Sequence, residues 1–302
     1  MKAAQFSRFG GPEVLKIMDV PDPHPGPGQV RVAVHAAGIG GTDWKLRQGV
    51  LSFGAQLPQT TGGDVAGVVD EVGEGLKDVA VGDRVYGMAD TGAAAELALM
   101  TIRAVIPPSL GFIDAAGLPA ALETATRALD QLGVTGGSTL FINGASGGIG
   151  STAVQLAVAR GARVIGAASP ANQDYLSLLG AEPVAYGEGM ADRVRALAPG
   201  GVGVALDVVG NGVLPELIAL AGGAPNVITL ADFDGAKEHG VHFSNGYADG
   251  NAFHALAEVG ELIETGRFWL PVDKTFPLAA IADAHRVSQH GHVRGRLVIV
   301  LR

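Results

Sequence analysis

The sequence predicts an α/β protein in which a doubly wound parallel sheet is joined to a second, β-rich unit. Short β-type runs separated by glycine and proline fill the first hundred residues, whereas an alternation of strands and helices begins near residue 113. The closing segment GRLVIVLR (295–302) indicates a strand that returns to the first unit. A chain of 302 residues is long enough to form two hydrophobic cores.

The β-rich unit is predicted from apolar runs in the N-terminal part of the chain. They cover residues 30–36, 65–69, 84–88 and 96–100. Short strands at this spacing, divided by turn residues, are typical of a barrel-like all-β structure.

The parallel sheet is predicted from strands that alternate with helical patterns. The strands are expected at 140–143, 163–168, 183–186, 204–209, 226–231 and 241–244, and the helices at 149–160, 171–179, 190–198 and 213–221. A longer amphipathic helix is expected near 251–265. Strands that alternate with helices in this way favour a parallel sheet covered on both faces.

Composition excludes several classes of function. The formal net charge of −9 argues against nucleic acid or an anionic membrane as the main partner, because both attract basic surfaces. The chain has no cysteine, so neither a disulfide framework nor a thiolate metal site can form. The N-terminus lacks the apolar run of a signal peptide, and we expect a cytoplasmic protein that acts on a small molecule.

A glycine-rich turn follows the first strand of the expected parallel sheet. It has the pattern G-x-G-x-x-G with alanine in the first position, and it consists of Ala145, Ser146, Gly147, Gly148, Ile149 and Gly150. Gly147 lets backbone amides approach a pyrophosphate, and Gly150 lets the following helix pack closely on the sheet. A generic tight turn is the alternative, but the position between an apolar strand and a helix predicts a dinucleotide site in a Rossmann sheet.

The end of the second strand favours NADP over NAD. An NAD site usually has an acidic residue there, to hold the ribose hydroxyls. Here the segment RVIGAASPANQ (163–173) contains none, and the first acidic residue is Asp174. Ser169 and Asn172 are placed to hydrogen-bond a 2′-phosphate instead, unless Ser169 only begins the next helix. No arginine is evident nearby to bind the phosphate.

Two other chemistries could use the same turn. A short-chain dehydrogenase needs a Tyr-x-x-x-Lys pair, and no tyrosine of this chain has a lysine four residues later. A serine hydrolase would use Ser146 in a G-x-S-x-G elbow, with Asp207 and His285 completing a triad. No HGGG-like segment is present to form its oxyanion hole. An oxidoreductase is therefore favoured, with the hydrolase as the less favoured alternative.

Longer segments carry a resemblance to a known family. They are the opening MKAAQFSRFGGPEVL, GGDVAGVVDEVGEGLKDVAVGDRVYG (62–87), AALETATRALDQLGV (120–134), the glycine-rich turn, LLGAEPVAYGEG (178–189), and the closing FPLAAIADAHRVSQHGHVRGRLVIVL. In these segments the chain resembles the zinc-independent quinone oxidoreductase (ζ-crystallin-like) branch of the medium-chain dehydrogenase/reductase superfamily.

The resemblance implies both the domains and the activity. It implies a GroES-like catalytic domain from residues 1–112 and 251–302, a Rossmann cofactor-binding domain from residues 113–250, and a homodimer formed through the edge strand near 241–244. The implied enzyme is NADP-dependent and zinc-free, and it transfers hydride to a quinone or an α,β-unsaturated carbonyl. A non-catalytic NADPH-binding structural or regulatory protein is the alternative.

The resemblance also implies roles for particular residues on the cofactor side. Tyr186 corresponds to a tyrosine that stacks near the adenosine phosphate. Val209 and the pair Thr229 and Leu230 correspond to residues whose backbone groups hold the nicotinamide. Each of these residues could instead pack at the end of a strand.

On the catalytic side, the resemblance implies that no zinc is bound. Gly40 and Gly63 stand where the zinc-binding relatives have a ligand cysteine and a ligand histidine. Thr42 takes the position of a proton-relay threonine, and Asp43 is expected to brace the loop through Arg47. Lys45 is a candidate donor to a substrate oxygen, although the family usually has tyrosines near positions 45 and 51.

Overall fold

The computed structural model describes residues 1–51 and 56–302. In chain order the strands are β1 (Lys2–Phe6), β2 (Lys16–Asp19), β3 (Val30–Ile39), β4 (Gln59–Thr60), β5 (Asp64–Val72), β6 (Arg84–Met88), β7 (Leu97–Met100), β8 (Arg103–Val105), β9 (Thr139–Asn143), β10 (Arg163–Ala168), β11 (Glu182–Ala185), β12 (Val204–Asp207), β13 (Val227–Thr229), β14 (His242–Phe243), β15 (Val272–Pro277) and β16 (Arg296–Val300).

The α-helices are α1 (Gly41–Gln48), α2 (Phe112–Ala116), α3 (Pro119–Gln131), α4 (Gly148–Ala159), α5 (Gln173–Leu178), α6 (Met190–Leu197), α7 (Leu214–Ala221), α8 (Phe233–His239), α9 (Gly246–Asp249), α10 (Ala255–Glu258), α11 (Gly260–Glu264) and α12 (Ile281–His290). Short 3₁₀ turns lie at Pro12–Val14, Pro170–Asn172, Ala224–Asn226 and Leu278–Ala280. Within the described ranges, no helix is long and apolar enough to cross a lipid bilayer.

The chain forms two compact units, of which the first consists of Met1–Ala120 and Leu256–Arg302. Its main sheet has the strand order β15-β16-β3-β5-β6-β8, with β7 also paired to β3, and a smaller sheet has the order β2-β1-β4. The closing strand β16 pairs antiparallel with β3, in the register Leu297 to Ile39. The expectation that the C-terminal segment returns to the first unit is therefore confirmed. Alternate apolar residues of β3 and β5, including Val32, Val34 and Val65, fill the core of this unit.

The second unit is the continuous segment Ala121–Ala255. Its sheet has the order β11-β10-β9-β12-β13-β14, and neighbouring strands are parallel. Counted from β9, this is the 3-2-1-4-5-6 order of a Rossmann sheet, so the predicted fold class is confirmed. The middle residues of β9, β10 and β12 are apolar because both faces of the sheet are buried: α3, α4 and α5 pack on one face, and α6, α7 and α8 on the other.

Two expectations about individual elements were wrong. The single helix expected near 251–265 is two short helices, α10 and α11, with a break at Val259, directly before Gly260. Glycine lowers helix stability in a helix interior, which favours a break at this position. The strands expected at 204–209 and 226–231 end earlier, at Asp207 and Thr229, because each of these polar residues begins a hydrogen-bonded turn.

Candidate cofactor and active site

The glycine-rich turn joins β9 to α4 at the carboxyl edge of the parallel sheet. Gly144 has a φ of 85°, a conformation that favours glycine, and it starts the turn directly after Asn143. The backbone N–H groups of Gly144 and Ala145 donate to the carbonyl of Ala167, at 3.2 and 2.9 Å. The turn is therefore fixed to the end of the neighbouring strand β10.

Gly147 and Gly150 have different reasons to be glycine. A Cβ atom on Gly150 would lie 2.2 Å from the carbonyl oxygen of Gly144, so close packing of α4 requires glycine there. A Cβ atom on Gly147 would meet nothing nearer than 3.8 Å. The space above Gly147 is thus open at the N-terminus of α4, where the first N–H groups have no acceptor within the helix and the dipole favours an anion. The turn fits the diphosphate of a dinucleotide.

Small polar side chains meet beside the turn, at the end of β10. The amide of Asn172 donates to Ser146 Oγ at 3.3 Å and to Ser169 Oγ at 3.2 Å. Tyr186 follows β11, its N–H donates to the carbonyl of Ala168 at 3.2 Å, and its side chain is 48% exposed. The structure therefore brings together Ser146, Ser169 and Asn172 where a 2′-phosphate is expected, and the backbone of Tyr186 is bonded to the end of the same strand.

Arg193 is a basic residue near this place that the sequence analysis missed. It lies on α6, and its guanidinium donates to the carbonyls of Ala185 and Glu188 at 2.8 and 3.0 Å. These carbonyls belong to the turn that carries Tyr186. The signal in the sequence was the position of Arg193 one helical turn into the helix that follows Tyr186.

Asp207, at the end of β12, forms a hydrogen-bonded network along the same edge of the sheet. Its side chain is fully buried. Oδ1 accepts hydrogen bonds from Asn143 Nδ2 at 2.9 Å and from the backbone N–H groups of Val209 and Gly210, both at 3.1 Å. Oδ2 accepts from Thr229 Oγ1 at 2.7 Å. One carboxylate therefore ties together the ends of β9, β12 and β13.

The residues expected at the nicotinamide lie around this network. Leu230 N–H donates to the carbonyl of Asp207 at 2.9 Å, and Thr229 is fully buried with its hydroxyl bonded to the Asp207 carboxylate. Val209 is 49% exposed, and a Cβ atom on Gly144 would lie 2.3 Å from its Cγ2 atom. The loop that carries Val209 thus packs against the start of the glycine-rich turn.

A second buried cluster that the sequence analysis missed lies on α3. Arg127 Nε donates to Glu123 Oε1 at 2.7 Å, and Arg127 also donates to the hydroxyl of Ser244, which follows β14. Ser244 N–H in turn donates to the carbonyl of Thr229 at 3.0 Å. This ion pair holds the end of β14 beside the end of β13. Oppositely charged residues four apart on a helix usually lie on its solvent-exposed face. The sequence therefore does not indicate that Glu123 and Arg127 are buried.

The residues proposed for a hydrolase triad, Ser146, Asp207 and His285, have other hydrogen-bond partners in this structure. Ser146 Oγ accepts a hydrogen bond from Asn172, and both oxygens of Asp207 accept bonds from the network described above. His285 is fully buried in the first unit, with its Nε2 atom 3.4 Å from Thr61 Oγ1. These partners leave no Ser–His–Asp chain.

The catalytic candidates of the first unit lie on α1. Thr42 is exposed near the start of the helix, and Lys45 Nζ lies 5.6 Å from the centre of the Trp44 ring. Asp43 is buried, and its Oδ2 accepts the N–H of Gly40 at 2.7 Å, which caps the helix. Burial raises the pKa of the Asp43 carboxyl to about 6.

The expectation that Asp43 braces its loop through Arg47 was wrong. Arg47 instead donates to the carbonyl of Gly10 at 3.1 Å and to Gln289 Oε1 at 2.9 Å. The bond from Gly40 N–H to Asp43 is the contact that fixes the loop.

A buried ion pair lies beside Gly40 and Gly63, the two glycines expected at the positions of zinc ligands. Arg296 donates to Asp64, and Asp64 Oδ1 also accepts the N–H of Ala120 at 3.0 Å. Burial raises the pKa of the Asp64 carboxyl, although Arg296 opposes this. A Cβ atom on Gly40 would lie 2.8 Å from Arg296 Nη1, whereas one on Gly63 would lie 3.3 Å from Met88. Within residues 1–51 and 56–302, no three His, Cys, Asp or Glu side chains are grouped to hold a metal ion.

Comparisons with known proteins agree on one family. A sequence family described as the alcohol dehydrogenase GroES-like domain matches residues 26–112, and one described as zinc-binding dehydrogenase matches residues 179–299. The chain is 30% identical to a quinone oxidoreductase from Rattus norvegicus, over all of this chain and 98% of the relative. It is 31% identical to a chloroplastic NADPH-dependent alkenal/one oxidoreductase from Arabidopsis thaliana, over 99% of this chain and 79% of the relative.

A solved structure shows the same similarity in three dimensions. A mycobacterial protein whose structure was determined in complex with NADPH superposes with a TM-score of 0.86, at 27% identity and over 100% of both chains. The similarity therefore extends over both units of the chain.

Proposed function

The chain belongs to the zinc-independent quinone oxidoreductase branch of the medium-chain dehydrogenase/reductase superfamily, and we propose that it is an NADPH-dependent enzyme that reduces a quinone or an α,β-unsaturated carbonyl by hydride transfer. The observation that carries the proposal is the glycine-rich turn of residues 145–150, which leaves open space at the N-terminus of α4 in a Rossmann sheet. The relatives named for quinone and for alkenal or enone reduction support the class of substrate.

The proposed cofactor site consists of three groups of residues. The turn from Ala145 to Gly150 would hold the diphosphate, and Ser169, Asn172 and Tyr186 would hold the 2′-phosphate and adenosine. The backbone groups of Val209, Thr229 and Leu230 would hold the nicotinamide, which supplies the hydride when the cofactor is bound.

The proposed substrate site is on the first unit. Thr42 would deliver or relay a proton, and Lys45 would donate a hydrogen bond to the substrate oxygen. Both side chains are on α1, whose start is fixed by the bond between Gly40 and Asp43. We also propose that the first unit is the catalytic domain and the second the cofactor-binding domain, and that the protein is a homodimer.

The proposal is tested by measuring NADPH oxidation with a panel of simple quinones, enones and alkenals. We expect turnover with at least one of them, a strong preference for NADPH over NADH, and no loss of activity with a metal chelator. Tight binding of NADPH without turnover on any acceptor would instead support the non-catalytic alternative. Failure of NADPH to bind would contradict both.

A further inference from the structure

The side-chain carboxylate of Asp207 accepts four hydrogen bonds from its neighbours. Asn143 Nδ2, the N–H groups of Val209 and Gly210, and the hydroxyl of Thr229 all donate to this one carboxylate. An ionised carboxylate can accept all of these bonds because it has only acceptor sites. An asparagine of the same size would have to turn an NH₂ group towards one of the donors.

Burial of this carboxylate removes the hydration that would stabilise its negative charge in water. Asp207 is fully buried, and in the part of the chain that the structure describes no lysine or arginine forms an ion pair with it. A buried charge without a cation is tolerated only where hydrogen bonds replace its lost hydration. An apolar residue of the same volume would leave these donors without an acceptor, so the carboxylate holds the donating groups in place.

The groups held by Asp207 form a loop at the carboxyl edge of the sheet. Val209 N–H and Gly210 N–H point inward to the carboxylate, while the Val209 side chain is 49% exposed. Gly210 has a φ of 73°, and a Cβ atom on it would lie 2.9 Å from Ala231, so the loop also packs on the chain that follows β13. The Thr229 hydroxyl accepts the N–H groups of Ala231 and Asp232, at 3.2 and 3.1 Å, and thus extends the network to that segment.

We propose that Asp207 is a positioning residue for the nicotinamide half of NADPH. By accepting bonds from both loops, it fixes the backbone of Val209 and of Leu230 in one arrangement before the cofactor binds. The adenosine half of the site, with Ser169, Asn172 and Tyr186, lies at the ends of β10 and β11 and shares none of these bonds. The inference rests on the proposed function, because it assumes that NADPH is the cofactor.

The experiment compares two ligands that share the adenosine half. NADPH and adenosine 2′,5′-bisphosphate are titrated by calorimetry into the wild-type protein, Asp207→Asn and the control Asp192→Asn. Asp192 is an exposed aspartate on α6. For Asp207→Asn we expect NADPH affinity to fall about tenfold or more, because bonds to a charged acceptor are lost, while affinity for the bisphosphate changes less than about twofold. Asp192→Asn should match the wild-type protein with both ligands.

A second pair of variants covers the case in which Asp207→Asn does not fold. Thr229→Ser keeps the hydroxyl that bonds Asp207, and Thr229→Val removes it with little change in volume. We expect Thr229→Val to lose NADPH affinity but keep affinity for the bisphosphate, and Thr229→Ser to recover most of the NADPH affinity that Thr229→Val loses.

The outcomes separate this inference from the proposed function. Equal loss of both ligands in Asp207→Asn and Thr229→Val would show a general structural role and overturn the inference. Unchanged NADPH affinity in both variants would also overturn it, while the proposed function would stand. If the wild-type protein bound the bisphosphate but gained nothing from the rest of NADPH, the proposed function itself would fail.

Discussion

His285 lies in the core of the first unit with its side chain fully buried. Its Nε2 atom is 3.4 Å from Thr61 Oγ1, and its Nδ1 atom has no hydrogen-bond partner within the described residues. Burial, and then the nearby charge of Arg47, lowers the pKa of His285 from 6.5 to about 3. The folded protein therefore holds this imidazole in its neutral form.

This burial predicts a loss of stability in acid. The unfolded chain takes up a proton as the pH falls below 6.5, whereas the folded protein does so only near pH 3. Between these values the free energy of unfolding should fall by at most about 1.4 kcal/mol per pH unit from this residue. His285→Leu should have a flatter acid limb in urea unfolding curves measured from about pH 7 to about pH 4. The exposed His254 provides the control His254→Leu, and an unchanged slope in His285→Leu would contradict the prediction.

Thr42 is the residue on which the proposed proton transfer depends. Thr42→Ala should lower kcat about a hundredfold, the effect typical of losing a positioned proton-transfer group, and leave NADPH affinity unchanged. Thr42→Ser should restore most of the activity because it keeps the hydroxyl. Thr275→Ala, which removes an exposed threonine of β15, is the matched control. Equal activity of the Ala and Ser variants would mean that the hydroxyl has no part in the reaction.

For individual residues, the sequence predicted the positions of the functional glycines better than the roles of buried charged residues. Gly147 and Gly150 follow from motif spacing, and the structure gives each a distinct environment. Asp207 appeared in the sequence only as a possible triad member, because its donors come from other strands that no local pattern connects. Arg193 and Arg296 were missed because their partners, the carbonyls of Ala185 and Glu188 and the carboxylate of Asp64, are not indicated by any local pattern in the sequence.

Among the elements, the strand expected at 163–168 has the observed bounds, while those of β12 and β13 were predicted too long. Apolar residues such as Val208, Val209 and Leu230 continue beyond the last paired position. Hydrophobic periodicity cannot distinguish a buried strand from an apolar loop at the edge of the sheet. As a result, the residues that follow β12 and β13, which are proposed to hold the nicotinamide, were predicted to be strand although they form loops.

The junction of β9 and α4 gives a sharp test at the level of an element. Gly147→Val should lower NADPH affinity at least tenfold, because its side chain would fill the open space at the N-terminus of α4. The melting temperature should change little, because Gly147 has a φ of −77° and a Cβ atom there would have no close neighbour. Gly150→Val should instead reduce stability, since its Cβ would lie 2.2 Å from a carbonyl oxygen. Both effects are measured by calorimetric titration and thermal unfolding.

Gly200 supplies the matched control for that pair. It also has open space around its Cβ position, but it lies in the loop after α6. Gly200→Val should change neither property. Wild-type affinity in Gly147→Val would show that no diphosphate binds at this turn.

For the whole molecule, the proposed homodimer rests on the edge strand β14, which pairs only with β13 in the described sheet. Phe233 is 63% exposed beside it and makes an edge-to-face contact with Phe243, with ring centres 5.4 Å apart. Sedimentation should show a dimer, and Phe233→Lys should shift it towards monomer by placing a charge at the interface. Leu178→Lys, at an exposed position on α5, should leave the dimer intact. A wild-type monomer would rule out the dimer.

The order of the strands along the chain affects how the protein is made. Because β16 completes the main sheet by pairing with β3, the first unit cannot finish folding until residue 300 has left the ribosome. The second unit is one uninterrupted segment and can fold once residue 255 has emerged. During synthesis, β3 therefore waits for its C-terminal partner strand, whereas every strand of the unit proposed to bind NADPH is already available.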